Sequence, residues 1–515
     1  MTGRRKIDAL LTIGYYIGRV ITGVGLLMLV PIAVALAYRE WNTVIDFLIG
    51  LAVAFLVGYG LVHLCYKSSR KLTWVTGMVA SSVAWLVAMT VAALPYWLSG
   101  HWGSYLDCMF DVMSGFTTTG LVLVQDLDHL SNGVNMWRHL LTYVGGQGMV
   151  VMALSFLIRE TSGTYAIYVG EGKDEKLLPN VKHTAQAIWL VSIVYLVVGT
   201  FFQMIAGLLI GQPLDRAFFH GMWIFMGAWS TGGFAPQSAN VLYYHSLLYE
   251  LVSAVIMIIG SFNFALHWAV WTGNRKEIWR NIEVISFFVT CTLTFIMVAA
   301  GMAKTGLYAT PLIMLRKGWY QVVSAHTTTG FSTVFARQFV RDWRPLALAG
   351  MIIAQLIGGS ACSTAGGFKG LRVGIIFKAL TEEVRRIIAP SSAVIVTKFH
   401  HIKDVVLEDR HVRSAALIII LYTVTWLAGT AIATYYGYPF VEAAFETASA
   451  AGNVGLSMGV SAPAMPDVLK VTYILIMWAG RLEFMSVFAI VGFLLWEFGL
   501  GEKPRRERRT EHVEA

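Results

Sequence analysis

The sequence predicts an all-α polytopic membrane protein with about ten transmembrane helices, arranged as a two-helix prefix followed by four helix–loop–helix units. Three observations lead to this prediction. Of the 515 residues, 56% are hydrophobic and only 13% are charged, and the mean hydropathy is +0.63, which is typical of a chain that crosses a membrane many times. One short motif occurs four times. Lysine and arginine are distributed unevenly between alternate loops.

Ten stretches are apolar and long enough to cross a bilayer. They lie at about 12–37, 44–64, 73–98, 137–158, 186–211, 241–271, 283–303, 346–378, 413–436 and 469–497. The N-terminal MTGRRKIDALL leads into the first stretch without a cleavage site of the A-x-A type, so we expect a retained helix rather than a signal peptide. The four cysteines have no paired or metal-ligand spacing and predict neither a disulfide framework nor a zinc site.

The repeated motif follows the third, fifth, seventh and ninth apolar stretches. Its copies are MSGFTTTGLV at 113–122, WIFMGAWSTGGFA at 223–235, YQVVSAHTTTGFST at 320–333 and FETASAAGNVGLS at 445–457. Each copy ends in a glycine followed by Leu or Phe, and an aromatic residue stands ten positions before that glycine. Four copies in register, roughly a hundred residues apart, predict a repeated unit of helix, re-entrant segment and helix.

The composition of each copy predicts a segment that lines a pore. The helical approach to the glycine is only about ten residues, half of the roughly 20 needed to span a bilayer, so this helix ends inside the membrane. Its carbonyl end attracts cations, and non-helical backbone at that depth must line a water-filled path or be buried in protein. Four such segments around one axis would surround a monovalent cation with carbonyl oxygens. For a single copy, ordinary helix packing is the alternative; four copies in register disfavour it.

The placement of Lys and Arg predicts the topology. With ten crossings and an inside N-terminus, 25 lysines and arginines fall in inside segments and 10 in outside segments. This asymmetry predicts that both termini lie inside and that all four loops enter from outside. It also accounts for the net charge of +9 without a nucleic-acid partner. The predicted divisions are a prefix at 1–72, repeats at 73–182, 183–281, 282–411 and 412–500, and a charged cytosolic tail at 501–515.

The motifs together resemble a known family. The loops TTTGL, STGGF, TTTGF and NVGLS, the segment GGSACSTAGGFKGLR and the late GRLEF are similar, in this order, to the Trk/Ktr/HKT superfamily of potassium transporters, most closely to bacterial TrkH-type subunits. The resemblance covers essentially the whole chain and includes the two-helix prefix. It implies a K⁺-uptake pore, a homodimer in the bacterial inner membrane and a cytosolic, nucleotide-binding TrkA-type partner. This chain itself would carry no cofactor, with K⁺ as the transported ion.

The resemblance also implies which residues form the selectivity filter and bind K⁺. By position these are Thr118, Thr119, Gly120, Thr231, Gly232, Gly233, Thr328, Thr329, Gly330, Asn453, Val454 and Gly455. In this family a serine in place of the first filter glycine accompanies Na⁺ transport, and this chain has Gly120 there. A Na⁺-coupled or Na⁺-permeable transporter of the same fold is the alternative, and the residues leave open channel-like conduction or symport with H⁺ or Na⁺. The approach to the second loop is about one helical turn longer than the usual pattern.

The eighth apolar stretch is predicted to be broken. Its segment GGSACSTAGGFKG contains Gly358, Gly359, Gly366, Gly367 and Gly370, which together cost a continuous helix about 5 kcal/mol relative to alanine. We expect a flexible loop lying across the pore below the filter, acting as a gate, as the resemblance also implies. Close helix packing through small residues is the alternative.

Two basic residues are further gate candidates. Arg481 lies within an apolar crossing, where a charge is costly and usually functional. We expect its guanidinium just beneath the filter, where it would repel cations; an ion pair to another helix is the alternative. Lys369, in the glycine-rich segment, is a weaker candidate for the same role.

The remaining polar residues favour no other function. Acidic residues at 107, 111, 215, 442 and 446 flank the pore approaches, where they would either concentrate cations at the outer mouth or cap helices. His400 and His401 are predicted to lie on a solvated face. An intramembrane enzyme would need paired carboxylates, a His-x-x-x-His pair or a Ser/Lys dyad at membrane depth, and the sequence has none. A scaffold or receptor would leave the fourfold motif unexplained, so we expect a transporter in contact with membrane lipid.

Overall fold

The chain folds as an all-α polytopic membrane protein, as predicted. The computed structural model describes residues 3–66, 72–124, 126–156, 164–171, 180–303, 310–390, 393 and 395–497. Among these residues, six helices are long and apolar enough to cross a membrane: Ile7–Ala37, Trp41–Leu64, Trp74–Ser99, Val181–Leu209, Ile282–Ala303 and Asp409–Tyr435. Two sharply bent pairs pass the same test together and give up to eight spans: Leu247–Gly260 with Phe264–Trp271, and Asp467–Arg481 with Met485–Leu495.

A prefix precedes four units of similar construction. The prefix consists of α1 Gly3–Leu27, α2 Leu29–Ala37 and α3 Trp41–Leu64. Each unit then has an outer helix, a short repeat helix that carries the repeated motif, and a second helix. The outer helices are α4 Trp74–Ala92 with α5 Leu94–Ser99, α10 Val181–Leu209, α15 Ile282–Ala303 and α20 Asp409–Tyr435. The repeat helices are α6 Tyr105–Phe116, α11 Leu214–Trp229, α16 Pro311–His326 and α21 Phe440–Ala451.

The second helix of every unit is interrupted. The pairs are α7 Asn132–Gln147 with α8 Met149–Phe156, α12 Leu247–Gly260 with α13 Phe264–Trp271, α18 Pro345–Ile357 with α19 Gly370–Ile388, and α22 Asp467–Arg481 with α23 Met485–Glu497. Four short helical elements connect these helices: α9 Thr164–Gly170, a 3₁₀ turn Asn240–Tyr244, α14 Glu277–Arg280 and α17 Ala336–Asp342. The sequence predicted the third of these interruptions, but the prediction of continuous helices over 137–158, 241–271 and 469–497 is wrong.

Close approach of each second helix to its repeat helix gives a physical reason for these interruptions. In three units a glycine of the second helix lies against the last residue of the repeat helix. A Cβ would overlap a carbonyl oxygen at each of these places: Gly145 against Phe116, Gly260 against Trp229, and Gly480 against Ala451. The helix breaks within three residues of each glycine. Hydropathy alone does not reveal this, because an apolar stretch reads the same whether it is straight or bent by 97° or 108°.

Repeat-helix length does not single out the second unit. The helix α11 has 16 residues against 12 in α6 and α21, which agrees with the extra turn predicted from the sequence. However, α16 also has 16 residues.

A small β-hairpin follows α19. Its strands, β1 Lys398–His401 and β2 Lys403–Val406, pair antiparallel, with His400 opposite Asp404. The ring of His400 lies 3.0 Å from a Glu277 oxygen and 2.6 Å from an Asp404 oxygen. These hydrogen bonds raise the pKa of His400. The side chain is only 17% exposed, so the prediction of a solvated histidine is wrong: the ring holds the hairpin against α14.

Candidate functional site

The four repeat helices end with the same backbone motif. In each, the amide two positions before the repeat glycine bonds to the carbonyl three residues back, and the next amide bonds to the carbonyl five residues back. In the first repeat these bonds are Thr118 N to Gly115 O at 3.0 Å and Thr119 N to Ser114 O at 2.7 Å. This is the Schellman pattern, which closes a helix and turns the chain away from its axis. The sequence repeat is therefore a repeat of backbone geometry.

One residue in each repeat loop has a left-handed backbone, and in three loops this residue is a threonine. The position two before the glycine has a positive φ in all four loops. The residues are Thr118, Thr231, Thr328 and Asn453, with φ of 55°, 51°, 57° and 55°. A left-handed conformation costs a residue with a Cβ about 1–2 kcal/mol, and β-branched threonine is especially unsuited to it. Strain of this kind persists where the surrounding structure enforces it, and it clusters at functional sites.

The repeat loops, 117–121, 230–234, 327–331 and 452–456, form a closed ring. The last glycine of each loop lies against the carbonyl oxygen of the residue before the corresponding glycine in the next loop, so closely that a Cβ there would meet that oxygen. The contacts are Gly120 with Gly232, Gly233 with Thr329, Gly330 with Val454, and Gly455 with Thr119. All four glycines have positive φ. The chain therefore visits the ring in the order one, two, three, four and back to one.

The oxygen atoms of this ring that could bind a cation carry no formal charge. Thr118, Thr231, Thr328 and Asn453 are fully buried, and no carboxylate belongs to the ring residues. Among the described residues, no group of three or more His, Cys, Asp or Glu side chains could hold a metal ion. Carbonyl and hydroxyl oxygens without formal charge suit a monovalent cation, whereas divalent cations are usually bound through carboxylates. The convergent carbonyl ends of four helices add to the attraction for a cation.

The glycine-rich loop, residues 358–369, lies against all four repeat loops. Thr118 Oγ1 lies 3.5 Å from the carbonyl oxygen of Thr364, and Thr231 Oγ1 lies 3.2 Å from the Thr364 hydroxyl. The amide of Gly366 donates to Thr328 Oγ1 at 2.8 Å, and a Cβ on Gly366 would overlap the carbonyl oxygen of Gly452. The glycine-rich loop therefore contacts the start of each repeat loop.

Backbone hydrogen bonds fold the glycine-rich loop back onto its origin. Phe368 N bonds to Leu356 O at 2.8 Å, and Lys369 N bonds to Ile357 O at 2.9 Å. Gly358 and Gly367 have φ of 74° and 78°, where a side chain would be strained. The glycines at 358, 359, 366 and 367 would each bring a Cβ within 3 Å of another atom, whereas at 370 the nearest atom is 3.4 Å away. Close approach of other atoms explains why glycine stands at four of the five positions that were predicted to break the helix.

Arg481 joins the glycine-rich loop to the first unit. It is the last residue of α22 and only 7% exposed. Its guanidinium donates to the carbonyl oxygens of Thr364, Gly145 and Gly146 at 2.5, 2.7 and 2.9 Å, and lies 3.4 Å from Thr118 Oγ1. Among the described residues its hydrogen-bond partners are carbonyl and hydroxyl oxygens, so the ion pair considered as an alternative is not what holds it. One positive charge thus lies between the ring and the second helix of the first unit.

Lys369 is held differently. Its ammonium donates to the carbonyl oxygen of Ala365 and lies 3.6 Å from a Glu483 oxygen. Glu483 also accepts a hydrogen bond from Arg372 at the start of α19. The charge of Lys369 is therefore paired with a carboxylate, and the group ties the bend between α22 and α23 to the glycine-rich loop.

The comparison with known families decides the identity of this architecture. The family model described as TrkH, cation transport protein, matches residues 44–494. This chain belongs to the TrkH family. It is 29% identical over 494 residues to an uncharacterized cation transporter of Methanocaldococcus jannaschii, covering 96% of this chain and 97% of the relative. It is 28% identical over 487 residues to the Trk system potassium uptake protein TrkH of Halomonas elongata, covering 92% and 96%.

One further relative and one solved structure are also similar to this chain. The chain is 27% identical over 478 residues to the Trk system potassium uptake protein TrkG of Escherichia coli K12, covering 91% of this chain and 95% of the relative. The crystal structure of the potassium transporter TrkH from Vibrio parahaemolyticus matches with a TM-score of 0.79 over 93% of this chain and 98% of that one, at 24% identity. At that identity the likeness shows a shared fold.

A further set of residues in this TrkH-family chain was not recognised from the sequence. They occupy the position nine residues before the ring glycine. In the first repeat, Asp111 Oδ1 accepts the amide of Leu123 at 2.6 Å, and Oδ2 accepts the indole nitrogen of Trp102 at 2.8 Å. Asp111 is fully buried. It is therefore neither a helix cap nor a charge at the outer mouth, which were the two predictions.

Side chains at the same position form equivalent hydrogen bonds in two other repeats. Glu446, also fully buried, accepts the amides of Met458 and Ser461 at 2.8 and 2.9 Å. Gln321 donates to the Thr333 hydroxyl at 3.2 Å. In each case a bond reaches the third residue after the ring glycine. The fourth member is Ile224. The register could have revealed this set, because each member directly follows the repeated aromatic residue.

The other acidic residues have separate roles. Asp107 is buried and forms an ion pair of 2.7 Å with Lys470 of α22. It therefore links the first repeat helix to the fourth unit. Asp215 and Glu442 lie in the first turns of α11 and α21, where a negative charge favours the helix dipole.

We predict that Asp111→Ala lowers the unfolding temperature of the purified chain. The substitution leaves two buried donors without an acceptor, at about 1–3 kcal/mol each. Thermal unfolding in detergent would measure the change. Ile224→Val, at the same position in the second repeat, removes no hydrogen bond, and we expect a smaller cost of about 0.5–1.5 kcal/mol. Equal unfolding temperatures for Asp111→Ala and the wild type would contradict the role assigned to this carboxylate.

Proposed function

We propose that this chain is the membrane subunit of a Trk-type system that takes up K⁺ through a carbonyl-lined filter. The observation that carries the proposal is the closed ring, in which each repeat glycine meets the carbonyl of the next loop. The relatives named potassium uptake proteins support the choice of ion. The filter would comprise the twelve predicted residues, three from each repeat. The buried Thr and Asn residues of the ring are consistent with carbonyl oxygens replacing the water of a dehydrated cation.

A Na⁺-coupled or Na⁺-permeable transporter remains the alternative function of the same fold. The two proposals differ in what the ring must discriminate. Gly120 lacks the side chain that the family resemblance associates with Na⁺ transport, which favours K⁺. The position is also tight, because a Cβ on Gly120 would lie 2.7 Å from the carbonyl oxygen of Gly232.

Gly120→Ser is predicted to lower K⁺ over Na⁺ discrimination while the protein still assembles. The added side chain would displace the neighbouring carbonyl and change the spacing of the oxygens. Bi-ionic flux in proteoliposomes gives the permeability ratio, and Gly330→Ser tests the same constraint in the third repeat. Gly459→Ser is the matched control: its φ is 97°, but no atom lies within 4 Å of its Cβ position. An unchanged ratio in both ring variants would remove the filter assignment.

We further propose that the glycine-rich loop is the gate and that this structure is closed. The loop contacts all four repeat loops, and Arg481 bonds to its Thr364 carbonyl. The guanidinium contributes in two ways. It anchors the loop beneath the ring, and its charge opposes a cation leaving the filter. A charge about 8 Å from a cation costs roughly 2 kcal/mol at an effective dielectric of 20.

Arg481→Ala should raise cation flux by about one order of magnitude or more, because 2 kcal/mol corresponds to roughly a 30-fold change in occupancy. Deletion of several residues within 360–366 should have the same direction of effect. Lys470→Ala is the control, since it also removes a buried cation from α22 but one that pairs with Asp107 away from the loop. Flux equal to the wild type in both the Arg481 variant and the loop deletion would exclude these elements as the barrier.

We propose that regulation resides on a separate cytosolic protein of the TrkA type that binds nucleotide. We also propose that this chain is a homodimer in the bacterial inner membrane, with both termini in the cytoplasm. The sequence has neither a G-x-G-x-x-G nor a G-x-x-x-x-G-K-[ST] motif, the patterns of nucleotide-binding loops. The proposed docking surface is the segment 378–413; most of the predicted loop 159–182 and the tail from residue 503 lie outside the described residues. On this surface Arg386 and Arg410 are paired with Glu382 and Glu408 at 2.6 and 2.7 Å. The surface is thus mixed in charge rather than simply basic.

ATP or ADP is predicted to change flux only when the soluble partner is present. Proteoliposomes containing this chain alone, and then with the co-purified partner, would measure this. Charge reversal at Arg385, Arg386 and Arg410 should weaken partner binding, because it changes both the net charge and the local pairs. Nucleotide-sensitive flux from the chain alone would refute the proposal, as would undiminished binding after charge reversal.

A further inference from the structure

A groove of about 650 Å³ lies between α15, α19 and the β-hairpin. One wall is apolar and open. Ile285, Val289 and Leu293 form a stripe along α15 and are 50%, 52% and 57% exposed, and Phe377 across the groove on α19 is 65% exposed. In a chain that crosses a membrane, such a stripe faces hydrocarbon rather than water.

The rim of the groove is basic. Arg280, Lys378 and Lys398 line the end beside the hairpin, together with His400 and Asp404. Asp404 Oδ1 is hydrogen-bonded to Nδ1 of His400 at 2.6 Å and lies 4.0 Å from the guanidinium of Arg280. Among the described residues, neither Lys378 nor Lys398 has a carboxylate oxygen at ion-pair distance, although both Arg280 and Lys398 act electrostatically on Asp404. This end belongs to the face that the lysine and arginine distribution predicts to be cytoplasmic.

We propose that this groove binds one anionic phospholipid, with an acyl chain along the α15 stripe and the phosphate between Lys378 and Lys398. An apolar wall that ends in cations at the membrane surface complements an acyl chain joined to a phosphate. A soluble anion would leave the apolar stripe without a partner. A second copy of this chain would have to bury the two lysines at its interface. The amphipathic lipid satisfies both ends of the groove.

The groove borders the two helices that hold the glycine-rich loop. At the start of α15, Glu283 Oε1 accepts the amide of Ala361 in that loop at 2.6 Å, and α19 begins directly after the loop. Further along α15, the Thr290 hydroxyl lies 2.7 Å from Nε2 of His326, four residues before Gly330. A bound lipid would therefore bias the relative position of α15 and α19, and through them the gate. This consequence for gating rests on the proposed function; lipid binding does not.

The test uses the full chain in membranes that contain equal amounts of phosphatidylglycerol and phosphatidylcholine, followed by native mass spectrometry of the retained lipids. We expect the wild type to retain phosphatidylglycerol selectively. Lys378→Gln combined with Lys398→Gln should lower this affinity about 30-fold, at about 1 kcal/mol for each lysine near the surface. Arg385→Gln combined with Lys403→Gln is the matched control, because it removes the same charge from the same helix and hairpin outside the groove.

Three results would overturn the proposal. The first is equal retention of phosphatidylglycerol by the two double variants. The second is thermal stabilisation of the wild type by glycerol 3-phosphate that matches the effect of the lipid, which would indicate a soluble anion. The third is selective retention by the monomer but not by the dimer, which would indicate that a second copy covers the groove. Lipid retention is measured without ion flux, so its failure is distinguishable from failure of the proposed transport function.

Discussion

Close approach of backbone to backbone is the constraint on which this structure depends. Where two repeat loops meet, a carbonyl oxygen of one occupies the space in which a side chain of the other would lie. Only glycine permits that contact, and it is needed four times to close a ring. The same constraint recurs one layer out, where glycines of three second helices lie against the last residues of their repeat helices. It recurs again below the ring, in the glycine-rich loop. Small residues thus set the distances among the central elements.

Such a center leaves many backbone groups away from helices and away from water, and each needs a partner. The buried side chains nine positions before the ring glycines supply some of them. Arg481 supplies three carbonyl oxygens with a donor, and the Thr364 hydroxyl lies 3.0 and 2.8 Å from the carbonyl oxygens of Trp229 and Gly260. These polar groups also make the four units different from one another. The ring is nearly fourfold, whereas the loop and the arginine beneath it each occur once.

That asymmetry bears on the proposed regulation. A symmetric ring has no element that can be moved without disturbing the other three units. The glycine-rich loop is different, because it belongs to one unit and contacts all four. Its ends continue into α18 and α19, and α19 contributes part of the mixed-charge surface of 378–413. A change in contacts at that surface would shift the loop only if two positions of the loop differ in their contacts. In this structure Glu483 pairs with Lys369 and Arg372 and so ties the loop and the start of α19 to the bend between α22 and α23.

The sequence by itself determined the class of the protein, the order of its units and the positions of the four repeat loops. Hydropathy, Lys and Arg placement and a repeat in register all depend on local composition, and local composition is what a sequence displays. The break at the glycine-rich segment was also predictable, since five glycines in one stretch disfavour a helix regardless of its surroundings. The tertiary structure alone decided the remainder. The bends near Gly145, Gly260 and Gly480 and the cyclic order of the loops depend on which other segment of the chain lies alongside. The contacts of Asp111 and Glu446 depend on how the chain turns back after each ring glycine, and the burial of His400 depends on the approach of Glu277. A residue such as Asp111 looks like a helix cap or a surface charge in the sequence, and becomes a buried acceptor only because Leu123 and Trp102 are brought to it by the fold.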